Sequence, residues 1–343
     1  MIEIPHVEGL TGLKTLVAGG AGFIGSSLVR ILLRGGAEVT VYDNLATGSR
    51  ESLDGCAAEV GRAPRFVHGD VRDQEKLARM LPGMDVVLNL ACLGVRHSIH
   101  SPHENHEVNA RGALTLLTEA RRAGAKRLVH VSSSEVYGTG RTVPMTEDHP
   151  TDPHTVYGSS KLAGECYARA FHRCYGYDAV VLRPFNAYGP RSHHEGDSGE
   201  VIPRFVVRAL NCQSLVIFGD GTQTRDLTHV YDTAAAIARA CVARGIAGHT
   251  LNIGAGDEVR IRALAELVRR VVGRPDLPIE HIEPRPGDVL RLYADSTRSR
   301  AALGHVSRVS LEAGIADLAE RLRGLGAARL AELSAGIVLR NWE

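Results

Sequence analysis

A tyrosine and a lysine one helical turn apart, Tyr157-Gly-Ser-Ser-Lys161, lie downstream of a serine run, Ser132-Ser133-Ser134, that closes an apolar segment. A tyrosine with an ordinary pKa of about 10 is a poor base at neutral pH. A lysine four residues later on a helix shares its face, and the ammonium lowers the tyrosine pKa. The Ser133 hydroxyl would share the hydrogen bond to the same oxygen. The group therefore reads as acid/base machinery that removes or returns a hydroxyl proton. Tyrosine–lysine pairs are common on helices, so the weight comes from what precedes this one.

That is a glycine-rich turn, Gly19-Gly-Ala-Gly22-Phe23-Ile24-Gly25. It follows the apolar run Thr15–Ala18 and opens a helix-periodic segment from Phe23 to Arg34, which Gly35-Gly36 ends. Glycines there let the backbone approach a pyrophosphate, and the helix N-terminus supplies N–H groups and partial positive charge. The next strand, Glu38–Tyr42, closes on Asp43-Asn44. An acidic residue at that place hydrogen-bonds ribose hydroxyls and repels a 2′-phosphate, which favours NAD over NADP. Asp70-Val71, after the following strand, is a candidate adenine contact that reads equally well as a helix N-cap region. Proton transfer at Tyr157 would then accompany hydride transfer to a nicotinamide, with Lys161 holding the nicotinamide ribose.

The elements that must position these groups alternate. Strands are expected at Arg65–His68, Asp85–Leu90, Arg127–Val131 and Asp178–Leu182, with helices at Gln74–Leu81, Glu104–Ala123 and about Val156–Tyr175. Strand–helix alternation implies an α/β fold, a Rossmann-type doubly wound parallel sheet. After Pro184 the pattern shortens, so residues 1–183 read as the cofactor domain carrying the tyrosine and lysine. Residues 184–343 read mainly as a smaller C-terminal α/β substrate lobe with segments returning to the sheet. The polar stretch Arg191–Glu200 looks like a mobile loop. Arg321–Glu343 is helical in pattern with no assignable chemistry.

Composition sets bounds. A chain of 343 residues buries a substantial core. A net charge of +1 argues against dedicated nucleic-acid or membrane-surface binding. No secretory signal and no apolar run long enough for a bilayer are visible. The six cysteines lack paired spacing and read as reduced thiols of a cytoplasmic protein. His97, His100, His103 and His106 recur every three residues, but Pro102 interrupts any helix through them, so no metal site is expected.

With these motifs in place, the chain resembles the extended short-chain dehydrogenase/reductases, in particular the NAD-dependent nucleotide-sugar epimerases and dehydratases. The resemblance runs over roughly residues 14 to 320. It rests on Gly19–Gly25, Asp43, Ser132-Ser-Ser-Glu-Val-Tyr-Gly138, Tyr157–Lys161, Arg183-Pro-Phe-Asn-Ala-Tyr-Gly-Pro-Arg191, Thr224-Arg-Asp226 and Arg285-Pro-Gly-Asp288. Ala18 departs from it, since the family more often has Thr there. The resemblance implies that Gly19, Gly22, Phe23, Ile24, Gly25, Asp43, Asn44, Asp70, Val71, Leu90 and Lys161 contact NAD. It implies that Asn186 and Arg225 face a sugar diphosphate, and Arg285 and Asp288 the nucleotide ribose and phosphates. Arg96 and Arg191 join that substrate set. A diphosphate favours the forked donors of arginine. Related enzymes often form homodimers through the two long helices.

The same resemblance frames the reaction. These enzymes take hydride from C4 of the sugar while the tyrosine takes the O4 proton, and then diverge. Dehydratases of the dTDP-glucose type carry Asp-Glu where this chain has Ser134-Glu135, and the Asp is the acid for the leaving hydroxyl. Ser134 therefore counts against that subclass, while Ser-Glu also resembles UDP-glucuronate decarboxylases, GDP-mannose dehydratases and hexosamine 5,6-dehydratases; the leading expectation is a 4-epimerase of a nucleotide hexose or uronate. Gly94-Val-Arg-His-Ser98, similar to uronate 4-epimerases, and Arg285–Asp288 point the same way. Glu135 keeps open a 4,6- or 5,6-dehydratase or a UDP-glucuronate decarboxylase. A non-catalytic NAD sensor would not need the intact tyrosine–lysine pair, and an NADP-dependent carbonyl reductase would favour basic residues near Asp43.

Overall fold

The computed structural model describes residues 1–196 and 198–340. Its central sheet has seven parallel strands: Lys14–Ala18 (β1), Glu38–Asp43 (β2), Arg65–His68 (β3), Val86–Asn89 (β4), Arg127–Val131 (β5), Ala179–Pro184 (β6) and Thr250–Ile253 (β7). They lie in the order β7-β6-β5-β4-β1-β2-β3. Strands β1, β4, β5 and β6 are near-continuous apolar runs because helices cover both faces. β1 pairs with β2 on one side and β4 on the other, Ala18 lying level with Tyr42 and Asn89. The strand order reverses there, and such reversals open the crevice in which doubly wound sheets bind ligands.

The helices Phe23–Arg34 (α1), Gln74–Met80 (α2), Gly112–Arg122 (α3) and Val156–Tyr175 (α4) follow the sequence pattern closely. α4 starts where the Thr155 hydroxyl accepts the Gly158 N–H at 3.2 Å, and it stops at Gly176 in the left-handed conformation. The single helix expected over Glu104–Ala123 is instead three consecutive pieces. Pro102 opens a turn ending at His106, one π-helical turn follows over Glu107–Arg111, and α3 completes the run. Such bulges are frequent at functional sites. Here two asparagines spend their side chains on the loop after β4. Asn105 donates to the Leu93 and Gly94 carbonyls at 3.0 and 3.1 Å, and Asn109 accepts from Leu93 N–H at 2.9 Å.

Beyond Pro184 the chain divides its residues between two cores. Helix Val230–Ala240 (α6) packs its alanines against α1, and β7 completes the main sheet. A second core gathers Phe205 and Val206 of helix Val201–Leu210 (α5), Leu264 and Val268 of Ile261–Val272 (α7), and Leu318 of Leu311–Arg323 (α8). Short parallel pairs, Asn186–Tyr188 with Leu227–His229 and Leu215–Phe218 with Ile279–Ile282, frame it. The continuous terminal helix expected from Arg321 is broken at Gly324–Gly326, and Ala327–Ala335 forms a separate helix, α9. The Arg191–Glu200 loop is irregular but tied down, with Glu200 N–H donating to the His193 carbonyl at 2.8 Å. Asp197 of that loop and residues 341–343 of the expected terminal helix lie outside the described residues. Among the described residues no helix is long and apolar enough to cross a membrane.

Candidate active site

The loops at the C-terminal ends of the strands and the second core enclose a cavity of about 430 Å³. Gly19, Gly22, Phe23, Ile24, Gly25, Asp43, Asn44, Val71 and Leu90 line one half of it. The turn is tight because no side chain fits. A Cβ on Gly19, whose φ is +79°, would meet the Ala91 nitrogen at 2.6 Å, and one on Gly25 would meet the Gly19 carbonyl oxygen at 2.1 Å. Asp43 fastens the turn to β2, accepting Ala21 N–H at 2.9 Å on one oxygen and Leu45 N–H at 2.8 Å on the other. Each oxygen keeps a lone pair for a ribose hydroxyl. The turn forms with Ala18 in place of Thr, held by Gly19 N–H to the Tyr42 carbonyl at 3.0 Å. A glycine cradle on a helix N-terminus with a carboxylate beside it fits a dinucleotide.

Asp70 is placed differently from the expectation. It does not line the cavity, although its neighbours Gly69 and Val71 do. Its carboxylate is taken up by Arg72 at 2.9 and 2.7 Å and by Asn44 at 2.9 Å. Those bonds, led by the Arg72 pair, hold it down at about 2. The pairing also engages Arg72, which lines the cavity, with a carboxylate of its own chain.

The acid/base group comes together as the sequence implies. Ser133, Ser134, Glu135, Tyr157 and Lys161 all line the cavity. The Ser133 hydroxyl caps the turn Ser134–Tyr137 by accepting Glu135 N–H at 3.2 Å, which fixes the carboxyl beside the tyrosine. Lys161 is 2% exposed and donates to the Val131 carbonyl at 2.5 Å. Burial lowers its pKa, with Cys92 and Glu165 opposing. Burial pushes the Tyr157 hydroxyl well above its ordinary range, and Cys92, Glu135 and Glu200 add to this while the Ser133 hydroxyl opposes. At rest the tyrosine is thus a firmly neutral proton donor.

Arginines gather at the opposite end. Arg96, Arg204, Arg225 and Arg285 line it with Asn186 and Asp288. Arg225 donates to Asp288 at 2.6 Å and to the Val289 carbonyl at 2.6 Å, and Arg285 donates to the same Asp288 oxygen. Arg285 Nε and Asn186 Oδ1 are buried with no hydrogen-bond partner among the described residues. Buried polar atoms left open in this way mark a place for a polar ligand. Burial and the positive charge of Arg285 and Arg204 bring Arg96 down to about 9, still cationic at neutral pH. Arg191 is not brought to this end with the other arginines. It lies outside the cavity and reaches Ser26 and Ser27 of α1 at 3.1 and 3.0 Å, so it ties the loop to the cofactor helix. His97 sits 3.4 Å from Glu104, and its ring meets His100 edge-on. Among the described residues no group of three or more metal-binding side chains converges.

Comparison with known proteins agrees with this geometry. Residues 15–254 match the model of the NAD dependent epimerase/dehydratase family. The chain belongs to that family. This epimerase/dehydratase is 38% identical over 316 residues to UDP-glucose 4-epimerase of Mycolicibacterium smegmatis, covering 91% of this chain and 99% of that one. The crystal structure of DesIV, a dTDP-glucose 4,6-dehydratase of Streptomyces venezuelae with NAD bound, superposes with a TM-score of 0.85 at 36% identity, covering 91% and 97%. MoeE5 in complex with UDP-glucose and NAD superposes with a TM-score of 0.80 at 33% identity, covering 91% and 100%. The same protein with UDP-glucuronic acid and NAD gives 0.81 at 32%, with the same coverage. The family enzymes are NAD-dependent, and this chain's cofactor is NAD.

Several wall residues escaped the sequence reading. Glu200 and Cys92 line the cavity, and so do Ile337 and Leu339 from the terminal segment to which no chemistry was assigned. That segment is strapped along α5. Asn211 donates to the Leu330 carbonyl at 3.0 Å, and Arg204 to the Val338 carbonyl at 2.8 Å. Ending the chain after Gly326 removes two apolar side chains from the wall. We expect nucleotide-sugar affinity to weaken about tenfold, the equivalent of about 1.4 kcal/mol. NAD affinity, set at the glycine turn, should stay within about twofold of the full chain. Titration calorimetry with each ligand measures both; equal losses would mean that the strap acts on the fold rather than the wall.

Proposed function

We propose that this protein is a 4-epimerase of a nucleotide-diphosphate hexose or uronate that works through a transient 4-keto sugar. The observation that carries the reading is Ser134. It is 3% exposed and puts a hydroxyl where elimination needs a carboxylic acid, beside an otherwise complete Ser133, Tyr157 and Lys161. Bound NAD supplies the acceptor and donor of hydride. Tyr157 takes the O4 proton and later returns it, Ser133 shares the O4 hydrogen bond, and Lys161 lowers the tyrosine pKa and holds the ribose. Arg225, Arg285 and Asn186 hold the diphosphate while the sugar turns over.

A second reading rests on Glu135. Its carboxyl lies within the electrostatic reach of Tyr157 and is suited to moving a proton at C5: taking it from a 4-keto hexose leads to loss of water, and giving one to C5 completes loss of carbon dioxide from a 4-keto uronate. Incubation with UDP-glucose, UDP-N-acetylglucosamine, UDP-glucuronate, GDP-mannose and dTDP-glucose, read by mass spectrometry and proton NMR, separates the two. An isobaric product with an altered H4 coupling supports epimerisation; loss of 18 or 44 mass units, roughly one water or one carbon dioxide, replaces it with the second reading. The working form in this proposal is a cytoplasmic homodimer joined through α3 and α4. These helices carry the exposed apolar side chains Leu114, Val156 and Tyr175, and sedimentation measures the assembly.

A further inference from the structure

The cavity is electrically polarised along its length. The strongest charged influences on the Tyr157 hydroxyl, apart from the Cys92 thiol, are two carboxyls, Glu135 and Glu200. The diphosphate end is instead a cluster of guanidinia, Arg96, Arg204 and Arg285, with Asp288 between them. Glu200 stands at the junction of the two halves. It is the residue before α5, its backbone is pinned to the His193 carbonyl at 2.8 Å, and it lines the same cavity as Tyr157. Its carboxyl makes no side-chain hydrogen bond among the described residues, and the charged groups facing it are His193 and Arg96. A carboxyl facing a ligand cavity with no protein partner is open to a hydrogen-bond donor on the ligand.

We infer that Glu200 is a specificity-determining residue that makes the sugar end of the cavity accept an uncharged hexose ring and reject a uronate. A hexose hydroxyl can donate to the Glu200 carboxylate, whereas a C6 carboxylate would meet Glu135 and Glu200 together. Glu200 also offsets Arg96, the cation otherwise placed to attract a uronate. The arginines beyond it remain for the diphosphate, which every nucleotide sugar carries. This deepens the proposed function by naming the substrate class. It depends on the cavity being a nucleotide-sugar site, and not on which product leaves it.

The polarity of the effect follows from the titration of Glu200. Burial raises it to about 7, with His193 and Arg96 opposing, so it is a carboxylate at pH 8 and a neutral acid at pH 6. Selectivity against the uronate is therefore present above pH 7 and fades below it. UDP-glucose and UDP-glucuronate differ only at C6, which makes them the probes. Calorimetry on the NAD-loaded protein should give at least a tenfold preference for UDP-glucose at pH 8, falling about threefold or more by pH 6. Glu200→Gln should reduce that preference at least about tenfold at pH 8 and flatten its pH dependence.

His193 faces Glu200 across the cavity wall, so its part in the pH step is tested separately. His193→Gln should keep most of the pH step; if the step vanishes, His193 carries it and the inference fails. Tighter binding of UDP-glucuronate by the unmodified protein at pH 8, or an unchanged ratio in Glu200→Gln, also overturns it. The pH series on the unmodified protein stands as a test even if the variant folds poorly. Because binding is read without turnover, a dehydration product would refute epimerisation and leave this inference standing.

Discussion

Tyr157→Phe should lower kcat by about three orders of magnitude while leaving nucleotide-sugar and NAD affinity within about threefold. The substitution removes one oxygen and keeps the ring. What it loses is the only side chain at the sugar end, among the described residues, with both a hydroxyl and a lysine one turn away on α4. Burial and the carboxyls of Glu135 and Glu200 hold the tyrosine proton tightly in the resting protein. Its loss to become a base therefore has to be driven by positive charge close by. In the proposed mechanism Lys161 supplies it, being buried and fixed by the Val131 carbonyl on β5. The Ser133 hydroxyl is a poor replacement for the tyrosine, because an aliphatic hydroxyl is a weaker acid than a phenol and this one already accepts Glu135 N–H. Steady-state kinetics with UDP-glucose, paired with calorimetry, measures the split between kcat and binding. Retention of more than about a tenth of the activity would mean that another group, Glu135 first, moves the O4 proton.

The placement of the candidate groups was legible where it depended on local spacing. Tyr157 and Lys161 share a face because α4 runs unbroken through both, and Thr155 and Gly176 mark its ends in the sequence. The glycine turn was legible because an apolar strand precedes it and Asp43 follows at the end of the next one. What stayed hidden depended on where a side chain turns after an irregular backbone. Arg191 follows Gly-Pro in a motif otherwise directed at the substrate, but its φ of +67° belongs to a left-handed turn, and its guanidinium ends on α1. Glu200 sat in a run of polar residues that reads as a solvated loop; only the packing of α5 against the cavity encloses it. Asn109 looked like an ordinary helix residue. Its signal is an asparagine on the inner face of a helix, where it can replace backbone partners for Leu93 and also reach Ser160 at 3.2 Å. Ile337 and Leu339 follow a helix whose docking on α5 no local pattern reports.

Glu165→Gln should destabilise the protein by about 3–5 kcal/mol, because it leaves the buried Arg183 charge without its partner. Glu165 lies one turn beyond Lys161 on α4 and is 0% exposed, and Arg183 on β6 is 3% exposed. The guanidinium grips both carboxylate oxygens at 2.8 and 2.6 Å and stacks 4.6 Å from the Tyr137 ring centroid. This pair clamps the helix carrying Tyr157 and Lys161 to the strand that leads into Asn186. At roughly 2 °C per kcal/mol for a chain of this size, Tm should fall by about 6–10 °C. Burial alone would raise the Glu165 pKa, but the hydrogen bonds and charge of Arg183 outweigh it and hold the carboxyl below its usual range. Stability from a depressed carboxyl is present above the ordinary value of about 4.3 and is lost as pH falls through the folded one. Wild type and variant should therefore converge in acid and separate most near neutrality. Replacing both partners, Glu165→Leu with Arg183→Met, should recover most of the loss, since the buried charge is then absent rather than stranded. A Tm change under about 2 °C in the single variant would show instead that Arg169, which also bonds Glu165 at 2.9 Å, and water can satisfy this site without the carboxylate.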